Sequence, residues 1–260
     1  VAYYDEHLLE ISIEQRRLLG EFEPALQNDE FVMYLQPQVK RDGAAKGAEA
    51  LVRWVHPSRG IQTPYAFIDI LENAGLIYKL DLYIWEKAAQ KLAEWKEKGY
   101  GSYHISVKIS TKDFYIIDIY ETFTGLINKY GIAASNLHLE ITETTLMTDF
   151  EKNMNIIHKL QGVGFRVEID DFGSGYSSLN MLKDISADVL KIDMGFLRKS
   201  ENEVKGQDIL ESIITLAGKI GMDVITEGVE TKKQLDMLTM MGCHEFQGYY
   251  FSKPVPVSEF

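Results

Sequence analysis

The order of hydrophobic and polar positions along the chain predicts alternating short strands and helices. Over residues 1–28, apolar side chains recur at helical spacing with charged residues between them, which predicts an amphipathic helix. Two apolar runs, 31–35 and 48–54, are typical of strands, and the sequence at 41–43 predicts a turn between them. Two helices are then expected, over 63–75 and 80–98.

From residue 103 onward the alternation becomes regular. Six more strands are predicted, at 103–109, 137–141, 165–169, 189–192, 223–226 and 244–249. The helices between them are expected at 121–130, 149–161, 176–184, 207–220 and 231–241, with Gly162 and Gly242 at C-cap positions. Eight strands, most of them followed by a helix, predict an α/β protein with a TIM-type (β/α)8 barrel rather than a doubly wound open sheet.

The length of 260 residues suits one large α/β barrel or two modest domains. We expect residues 1–28 to form a connecting helix from an upstream domain and residues 29–260 to form the barrel domain. The chain begins with Val1 and a polar, helix-like segment, so it is expected to be part of a longer polypeptide.

Charge and cysteine content narrow the class of function. Lys and Arg number 27 against 39 Asp and Glu, a net charge of −12, so the surface is expected to repel nucleic acid and anionic membranes. An anionic substrate would need metal ions or a local basic residue. Cys243 is the single cysteine, which excludes an internal disulfide and a cysteine zinc site and fits a cytoplasmic setting. No apolar run is long enough to predict a membrane-spanning helix.

The sequence around Asp170 and Asp171 is the first candidate for chemistry. The two carboxylates follow the strand predicted at 165–169, and Gly173 and Gly175 then favour a sharp turn. Neighbouring carboxylates repel each other, so both stay ionised most easily with a divalent cation nearby. The alternative is a polar turn without a function.

The ends of the other predicted strands carry similar side chains. Read in chain order, the charged and amide residues there are Glu49, Lys108, Glu140, Asp170, Asp171, Lys191, Glu227 and Gln247. Each alone could be a solvated charge or a core salt bridge, but the C-terminal ends of barrel strands meet at one face. Together they predict a site for Mg²⁺ or Mn²⁺. The histidines show no spacing typical of metal ligands, and each is interpreted as a surface or packed residue: His56, His104, His138, His158 and His244.

Several motifs make a family resemblance specific. They are Glu49-Ala50-Leu51-Val52-Arg53-Trp54, Tyr34-Leu35-Gln36-Pro37, Glu140-Ile141-Thr142-Glu143, Asp170-Asp171-Phe172-Gly173, Leu190-Lys191-Ile192-Asp193, Glu227-Gly228-Val229-Glu230-Thr231 and Gln247-Gly248-Tyr249-Tyr250-Phe251. Over residues 31–254 the chain resembles the EAL domain family of cyclic di-GMP phosphodiesterases and receptors. The first residues resemble the join that follows a GGDEF domain, which implies the C-terminal part of a GGDEF–EAL composite with an upstream GGDEF or sensory domain. The family resemblance also implies a homodimer.

The resemblance implies a role for each matching residue. Glu49, Glu140 and Asp170 would hold one metal, and Asp170 with Asp171 would hold a second, with a water between them. The residues implied in catalysis are Glu227, Lys191, Asp171 and Glu143, the last of which would hold the loop at 173–178. The residues implied in binding cyclic di-GMP are Gln36, Leu51, Arg53 and Gln247.

Lys108 departs from the family pattern, which places an asparagine metal ligand at this position. A protonated amine repels a metal ion. If Lys108 points into the site, we expect its ammonium group to take the place of one metal and to pair with Glu49 or Glu140. If it points outward, or loses its proton when the metal binds, a weakened two-metal site survives.

Three functions are therefore weighed. The first is a metal-dependent phosphodiesterase that opens cyclic di-GMP to linear pGpG, with Lys108 impairing turnover. The second is a non-catalytic cyclic di-GMP receptor. The third, a scaffold without ligand or chemistry, is disfavoured because Asp171 and Glu227 are retained.

Overall fold

The structure of the protein is a computed structural model that describes residues 6–173, 185–195 and 203–260. Its strands are β1 (Phe31–Lys40), β2 (Ala45–His56), β3 (Gly60–Gln62), β4 (His104–Ile109), β5 (Leu137–Thr142), β6 (Val167–Phe172), β7 (Val189–Asp193), β8 (Asp223–Glu227), β9 (Glu245–Phe246) and β10 (Val255–Pro256). Its helices are α1 (Glu6–Gln27), α2 (Ile68–Asn73), α3 (Ile77–Glu97), α4 (Asp113–Ile116), α5 (Ile119–Tyr130), α6 (Glu143–Thr148), α7 (Phe150–Val163), α8 (Glu203–Lys219) and α9 (Lys232–Met240).

Eight of these strands close into a barrel. The hydrogen-bonded order runs β1, β2, β4, β5, β6, β7, β8, β9 and back to β1. Two short strands lie outside this ring: β3 pairs with β2, and β10 pairs with β1, both antiparallel. This arrangement confirms the predicted (β/α)8 barrel. The helix predicted over 176–184 lies outside the described residues.

The first strand runs against the rest of the barrel. β1 is antiparallel to both β2 and β9, whereas the neighbouring pairs from β2 round to β9 are parallel. Only residues 41–44 join β1 to β2, and a parallel neighbour would need a crossover of a dozen residues or more. The predicted turn therefore forces a hairpin, which brings Gln36 opposite Glu49.

The C-terminal half of α1 packs on the barrel. Phe22 is fully buried, and its ring meets Phe31 edge-on with 5.7 Å between the centroids. Glu21 accepts hydrogen bonds from Arg59 and contacts His56 at 3.2 Å. Ile13, which the sequence places on the apolar face, is 56% exposed. The connection of residues 1–28 to an upstream domain stays a prediction.

Two helix ends test the predicted caps. α7 continues through Gly162 and ends at Gly164, whose φ of 108° is left-handed and whose N–H bonds back to Leu160 and Gln161. The cap predicted at Gly162 is therefore wrong, because the later glycine provides the left-handed residue. Gly242, at φ 94°, directly follows the last turn of α9, which confirms the helix end predicted there.

The barrel strands are apolar towards the helices and polar towards the interior. On β4, Ile105, Val107 and Ile109 are fully buried in the apolar core, and His104 and Ser106 are also buried. Since neighbouring residues of a strand point to opposite faces, the polar set lies on the inner face. The barrel interior is thus lined with polar side chains. Among the described helices, none has the length and hydrophobicity needed to cross a membrane.

Candidate active site

The ammonium group of Lys191 lies at the centre of the carboxylates found at the strand ends. Lys191 is fully buried, and its Nζ is 2.7 Å from both Glu140 Oε1 and Glu227 Oε1. Glu49 Oε2 lies 3.4 Å away and Asp170 Oδ1 3.7 Å away. Five different strands supply these residues, so the structure brings together the charged set that the sequence places at one face of the barrel.

The charges in this group are unbalanced. Burial raises the pKa of Glu227 to about 8, with Glu49 and Asp170 adding to the effect and Lys191 opposing it. Burial and the neighbouring Glu49 also raise the pKa of Glu140 well above its usual range. Although burial opposes the charge of Lys191, the four carboxylates raise its pKa well above 10.5. Four carboxylates thus share one ammonium group, and the raised pKa values of Glu140 and Glu227 mean that protons neutralise part of the negative charge; a bound cation would take the place of those protons.

Lys108 points into the site, at the end of β4. Its Nζ is 3.1 Å from Asp170 Oδ2 and 4.0 Å from Asp171 Oδ2, and 51% of its side chain stays exposed. Burial opposes its charge, but Asp170 and Asp171 raise its pKa, so the group is an ammonium. The expected pairing with Glu49 or Glu140 is wrong, because Lys191 already lies between those two carboxylates and Lys108 extends to Asp170 instead.

The Asp170-Asp171 pair is held in a defined turn. Asp171 has a left-handed backbone, with φ 56°, and its N–H donates to Asp170 Oδ1 at 2.9 Å. Burial would raise the pKa of Asp170, but Lys191 and Lys108 lower it to about 2. Burial and the charge of Asp170 raise the pKa of Asp171. Gly173 turns the chain as expected, with φ 92°, whereas Gly175 lies outside the described residues.

Two glutamines connect β1 and the C-terminal segment to this group. The side-chain amide of Gln247 donates to Glu49 and, at 3.3 Å, to Gln36 Oε1. The amide of Gln36 donates to the backbone carbonyl of Ser252 at 3.4 Å. Both glutamines are buried; Gln247 holds Glu49 directly, and Gln36 supports Gln247.

A cavity of about 600 Å³ opens beside the carboxylates. Its polar lining includes Glu49, Asp69, Glu72, Asp81, Lys108 and Ser110. Leu51 also lines it, and its role in binding cyclic di-GMP stays a prediction.

Arg53 lies outside the lining of that cavity. Its Nη1 donates to the carbonyl of Val52 at 2.8 Å, and its guanidinium carbon is 5.4 Å from the centroid of the Tyr34 ring. Burial lowers the pKa of Arg53. Its role in ligand binding stays a prediction.

The sequence did not point to one acidic pair beside the cavity. Ser110 donates to Asp81 Oδ2 at 2.7 Å through its hydroxyl and to Asp113 Oδ2 at 2.8 Å through its N–H. Burial raises the pKa of Asp113 to about 6, and burial together with Asp113 raises that of Asp81 well above its usual range. The short spacing from Ser110 to Asp113 is a local turn signal, whereas Asp81 looks like an ordinary charge within a helix.

Glu143 is the first residue of α6, directly after the N-cap Thr142. Most of the loop at 173–178, which the family resemblance implies it holds, lies outside the described residues. That role stays a prediction.

The donors fit one divalent cation. Glu140 Oε2 is fully buried, and no hydrogen-bond donor of the described residues reaches it. Glu49, Glu140 and Asp170 supply oxygen ligands of the kind such an ion takes, and they would bind it in exchange for part of their contacts with the Lys191 ammonium. A second ion between Asp170 and Asp171 does not fit while the ammonium group of Lys108 lies there.

Comparison with known proteins identifies the family to which the chain belongs. The model of the EAL domain matches residues 20–254. The chain is 33% identical over 247 residues to the bifunctional diguanylate cyclase/cyclic di-GMP phosphodiesterase MucR of Pseudomonas aeruginosa, covering 95% of this chain and 36% of that protein. It is also 33% identical over 236 residues to the cyclic di-GMP phosphodiesterase PdeR of Escherichia coli, covering 91% of this chain and 36% of PdeR. The chain thus spans about a third of the length of these relatives.

Solved structures show the same fold. The PaMucR phosphodiesterase in complex with c-di-GMP aligns with a TM-score of 0.88 and 33% identity, over 94% of this chain and 99% of that one. The EAL enzyme Bd1971 with cAMP and cyclic di-GMP bound also aligns with a TM-score of 0.88, at 31% identity, over 96% of this chain and 68% of that one. With the family model matching residues 20–254, the chain belongs to the EAL domain family.

Proposed function

We propose that this chain is a phosphodiesterase domain that hydrolyses cyclic di-GMP to linear pGpG with the help of Mg²⁺ or Mn²⁺, and that Lys108 slows the reaction. The observation that carries the proposal is the group of four carboxylates within 3.7 Å of the buried Lys191 ammonium. The 33% identity to MucR and PdeR, both named as cyclic di-GMP phosphodiesterases, supports the choice of substrate.

The reaction is the attack of water on one phosphorus atom of the cyclic dinucleotide. A bond forms between the water oxygen and phosphorus, the bond from phosphorus to the ribose 3′ oxygen breaks, and a 5′-phosphate and a 3′-hydroxyl result. The cation held by Glu49, Glu140 and Asp170 would polarise the phosphate and activate the water when bound.

The side chains of the protein supply the remaining steps. Glu227 accepts the proton of the attacking water and passes it to the ribose 3′ oxygen; a nearby divalent charge would lower the pKa that burial raises to about 8, so that the carboxylate is ionised near neutral pH. Lys191 stabilises the negative charge that develops on the phosphoryl oxygens. Asp171 and Glu143 keep the turn after β6 in position. Gln36, Leu51, Arg53 and Gln247 bind the nucleotide, with Gln36 and Gln247 orienting it through their amides.

Product analysis tests this proposal. The protein is incubated with cyclic di-GMP and Mg²⁺ or Mn²⁺, and the nucleotides are separated by chromatography. We expect slow formation of pGpG, at least a hundredfold slower with Glu49→Gln and unchanged with Glu211→Gln, which alters an exposed carboxylate on α8. No pGpG at high enzyme concentration with either metal would refute the proposed hydrolysis.

A second candidate function is a non-catalytic cyclic di-GMP receptor, favoured by the contact of Lys108 with Asp170. Calorimetry with EDTA in place of metal separates the two functions. Tight binding that does not change with metal, together with no product, would identify a receptor. No binding under either condition would leave only the scaffold role.

The wider setting is part of the same proposal. We infer a cytoplasmic homodimer in which residues 1–28 connect the barrel domain, residues 29–260, to an upstream GGDEF or sensory domain. This chain matches only about a third of the length of MucR and of PdeR, which supports the proposal that it belongs to a longer protein.

A further inference from the structure

Three buried side chains form a separate polar group at the opposite end of the barrel from Lys108. His104 is the first residue of β4, and His138 and Glu168 are the second residues of β5 and β6. These strands are neighbours, and the three residues are 7%, 4% and 0% exposed. One donor atom of each lies within 4.8 Å of the donor atoms of the other two. We call these residues the His–Glu cluster.

The hydrogen bonds of His104 and His138 through Nε2 determine which ring nitrogen faces the cluster as a possible metal ligand. His104 Nε2 lies 2.6 Å from Gln38 Oε1, and His138 Nε2 lies 3.2 Å from the carbonyl oxygen of Ser135. Both partners accept protons, since the Gln38 amide nitrogen already donates to Ser106. His104 therefore donates through Nε2 and keeps its lone pair on Nδ1, whereas His138 also contacts Glu168 through Nδ1 and would give up the proton of that hydrogen bond when it binds a metal ion. Metal-binding histidines in proteins are usually held in this way.

The charge state of the cluster suits a cation. Burial, followed by the neighbouring His138, lowers the pKa of His104 to about 3, so this ring is neutral at pH 7. Two imidazole nitrogens and a carboxylate are a typical ligand set for zinc.

The carboxylate is also incompletely paired. Glu168 Oε1 is 2.5 Å from His138 Nδ1, a hydrogen bond whose proton a metal ion would replace. Glu168 Oε2 is buried and is reached by no hydrogen-bond donor of the described residues. An isolated buried carboxylate oxygen is unfavourable, and a metal ion would satisfy it.

We propose that the His–Glu cluster is a second metal site, which binds a Zn²⁺-like transition-metal ion through His104, His138 and Glu168. This site differs from the carboxylates around Lys191 in having imidazole ligands in place of an all-oxygen set, although Glu168 lies beside Glu140 in the pairing of β5 and β6. The bound ion would join β4, β5 and β6 at their N-terminal ends.

Binding requires a small rearrangement that can be observed. The two imidazole rings are stacked, with centroids 3.8 Å apart and planes 2° from parallel, whereas a metal ion lies in the plane of each ring that binds it. One ring must tilt, and the donors must close to about 3.3–3.5 Å, the separation implied by tetrahedral Zn–N bonds of about 2.0–2.1 Å. Binding therefore ends the stacking of His104 on His138.

The experiment uses the whole metal-free chain, with excess Mg²⁺ present to fill oxygen-ligand sites. Zn²⁺ is titrated while the side-chain nitrogen signals of the histidines are followed by NMR. We expect one equivalent of Zn²⁺ to shift the signals of His104 and His138 and to leave that of the exposed His158 unchanged. If the signals of His104 and His138 do not shift when Zn²⁺ is added to saturation, the proposal is overturned.

Matched variants locate the site. His104→Gln and Glu168→Gln are expected to weaken Zn²⁺ binding at least tenfold, while His158→Gln and Glu49→Gln keep the wild-type affinity. Circular dichroism checks that each variant is folded. Unchanged Zn²⁺ affinity in both cluster variants, or loss only in Glu49→Gln, would assign the ion elsewhere and contradict the proposal.

Discussion

Lys108 places a positive charge 3.1 Å from a carboxylate that would also serve a metal ion. A unit charge and a divalent ion about 4 Å apart repel each other by about 8 kcal/mol at an effective dielectric constant near 20. Since 51% of the Lys108 side chain is exposed, water screens much of this repulsion. The residue is therefore expected to weaken the site without removing it.

Replacing Lys108 by asparagine tests this effect on metal binding. The variant removes the charge and supplies a carbonyl oxygen, so we expect Mn²⁺ to bind about tenfold more tightly or better, as measured by calorimetry. Lys233→Asn, an exposed lysine on α9, is the matched control and should leave the affinity unchanged. Equal affinities of wild type and Lys108→Asn would show that the ammonium does not compete with the metal.

His104 gives a prediction about pH and stability in the metal-free protein. Its pKa falls from an ordinary value of 6.5 to about 3 on folding, chiefly because the ring is buried. The unfolded chain therefore binds a proton that the folded chain excludes. The stability that this neutral ring contributes is complete above pH 6.5 and is lost as the pH falls from 6.5 towards 3.

Urea unfolding between pH 6.5 and 4.5 measures this contribution. We expect the free energy of unfolding to fall as the pH is lowered, and to fall less steeply in His104→Gln than in wild type. The two slopes should differ by up to about 1.4 kcal/mol per pH unit. His158→Gln alters an exposed histidine of α7 and should keep the wild-type slope. Identical slopes in all three proteins would mean that His104 is protonated as easily in the folded chain as in the unfolded one.

At the level of elements, α7 contains two glycines with opposite predicted effects. Gly162 lies inside the helix with open space around its missing Cβ, whereas Gly164 ends the helix at φ 108°. Gly162→Ala should raise the free energy of unfolding by about 0.5–1 kcal/mol, because alanine favours the helix. Gly164→Ala should lower it by about 1 kcal/mol, because alanine is strained in the left-handed region.

Thermal and urea unfolding of the two alanine variants compare these effects within one helix. A more stable Gly162→Ala and a less stable Gly164→Ala would confirm that the helix ends at the later glycine. The opposite order would place the cap at Gly162, where the sequence alone suggested it.

At the scale of the whole molecule, the sequence predicted the barrel because strand and helix patterns alternate strongly after residue 103. It also predicted which strand ends meet, since the closed barrel brings the C-terminal ends of its parallel strands to one face. The reversed direction of β1 follows from the short turn at 41–44. The hydrophobic pattern predicted this turn but not the direction of the strand.

Contacts between distant positions were harder to predict. His104 and His138 are separated in the sequence by the helices α4 and α5, and the pairing of β4 with β5 brings their rings to 3.8 Å. The predicted partner of Lys108, Glu49 or Glu140, was wrong for a similar reason. The Lys191 ammonium already pairs with those carboxylates, which leaves Asp170 for Lys108. Side-chain direction and competition between charges are set by the closed barrel and not by local sequence.

The rate of cyclic di-GMP cleavage in a single turnover tests the central claim most directly, with wild type and Lys108→Asn compared at saturating Mn²⁺. We expect both proteins to form pGpG, because all four carboxylates around Lys191 are present. The variant should do so at least tenfold faster, because it lacks the Lys108 ammonium that weakens metal binding. Absence of pGpG from both proteins, with Mn²⁺ shown to be bound, would contradict the account.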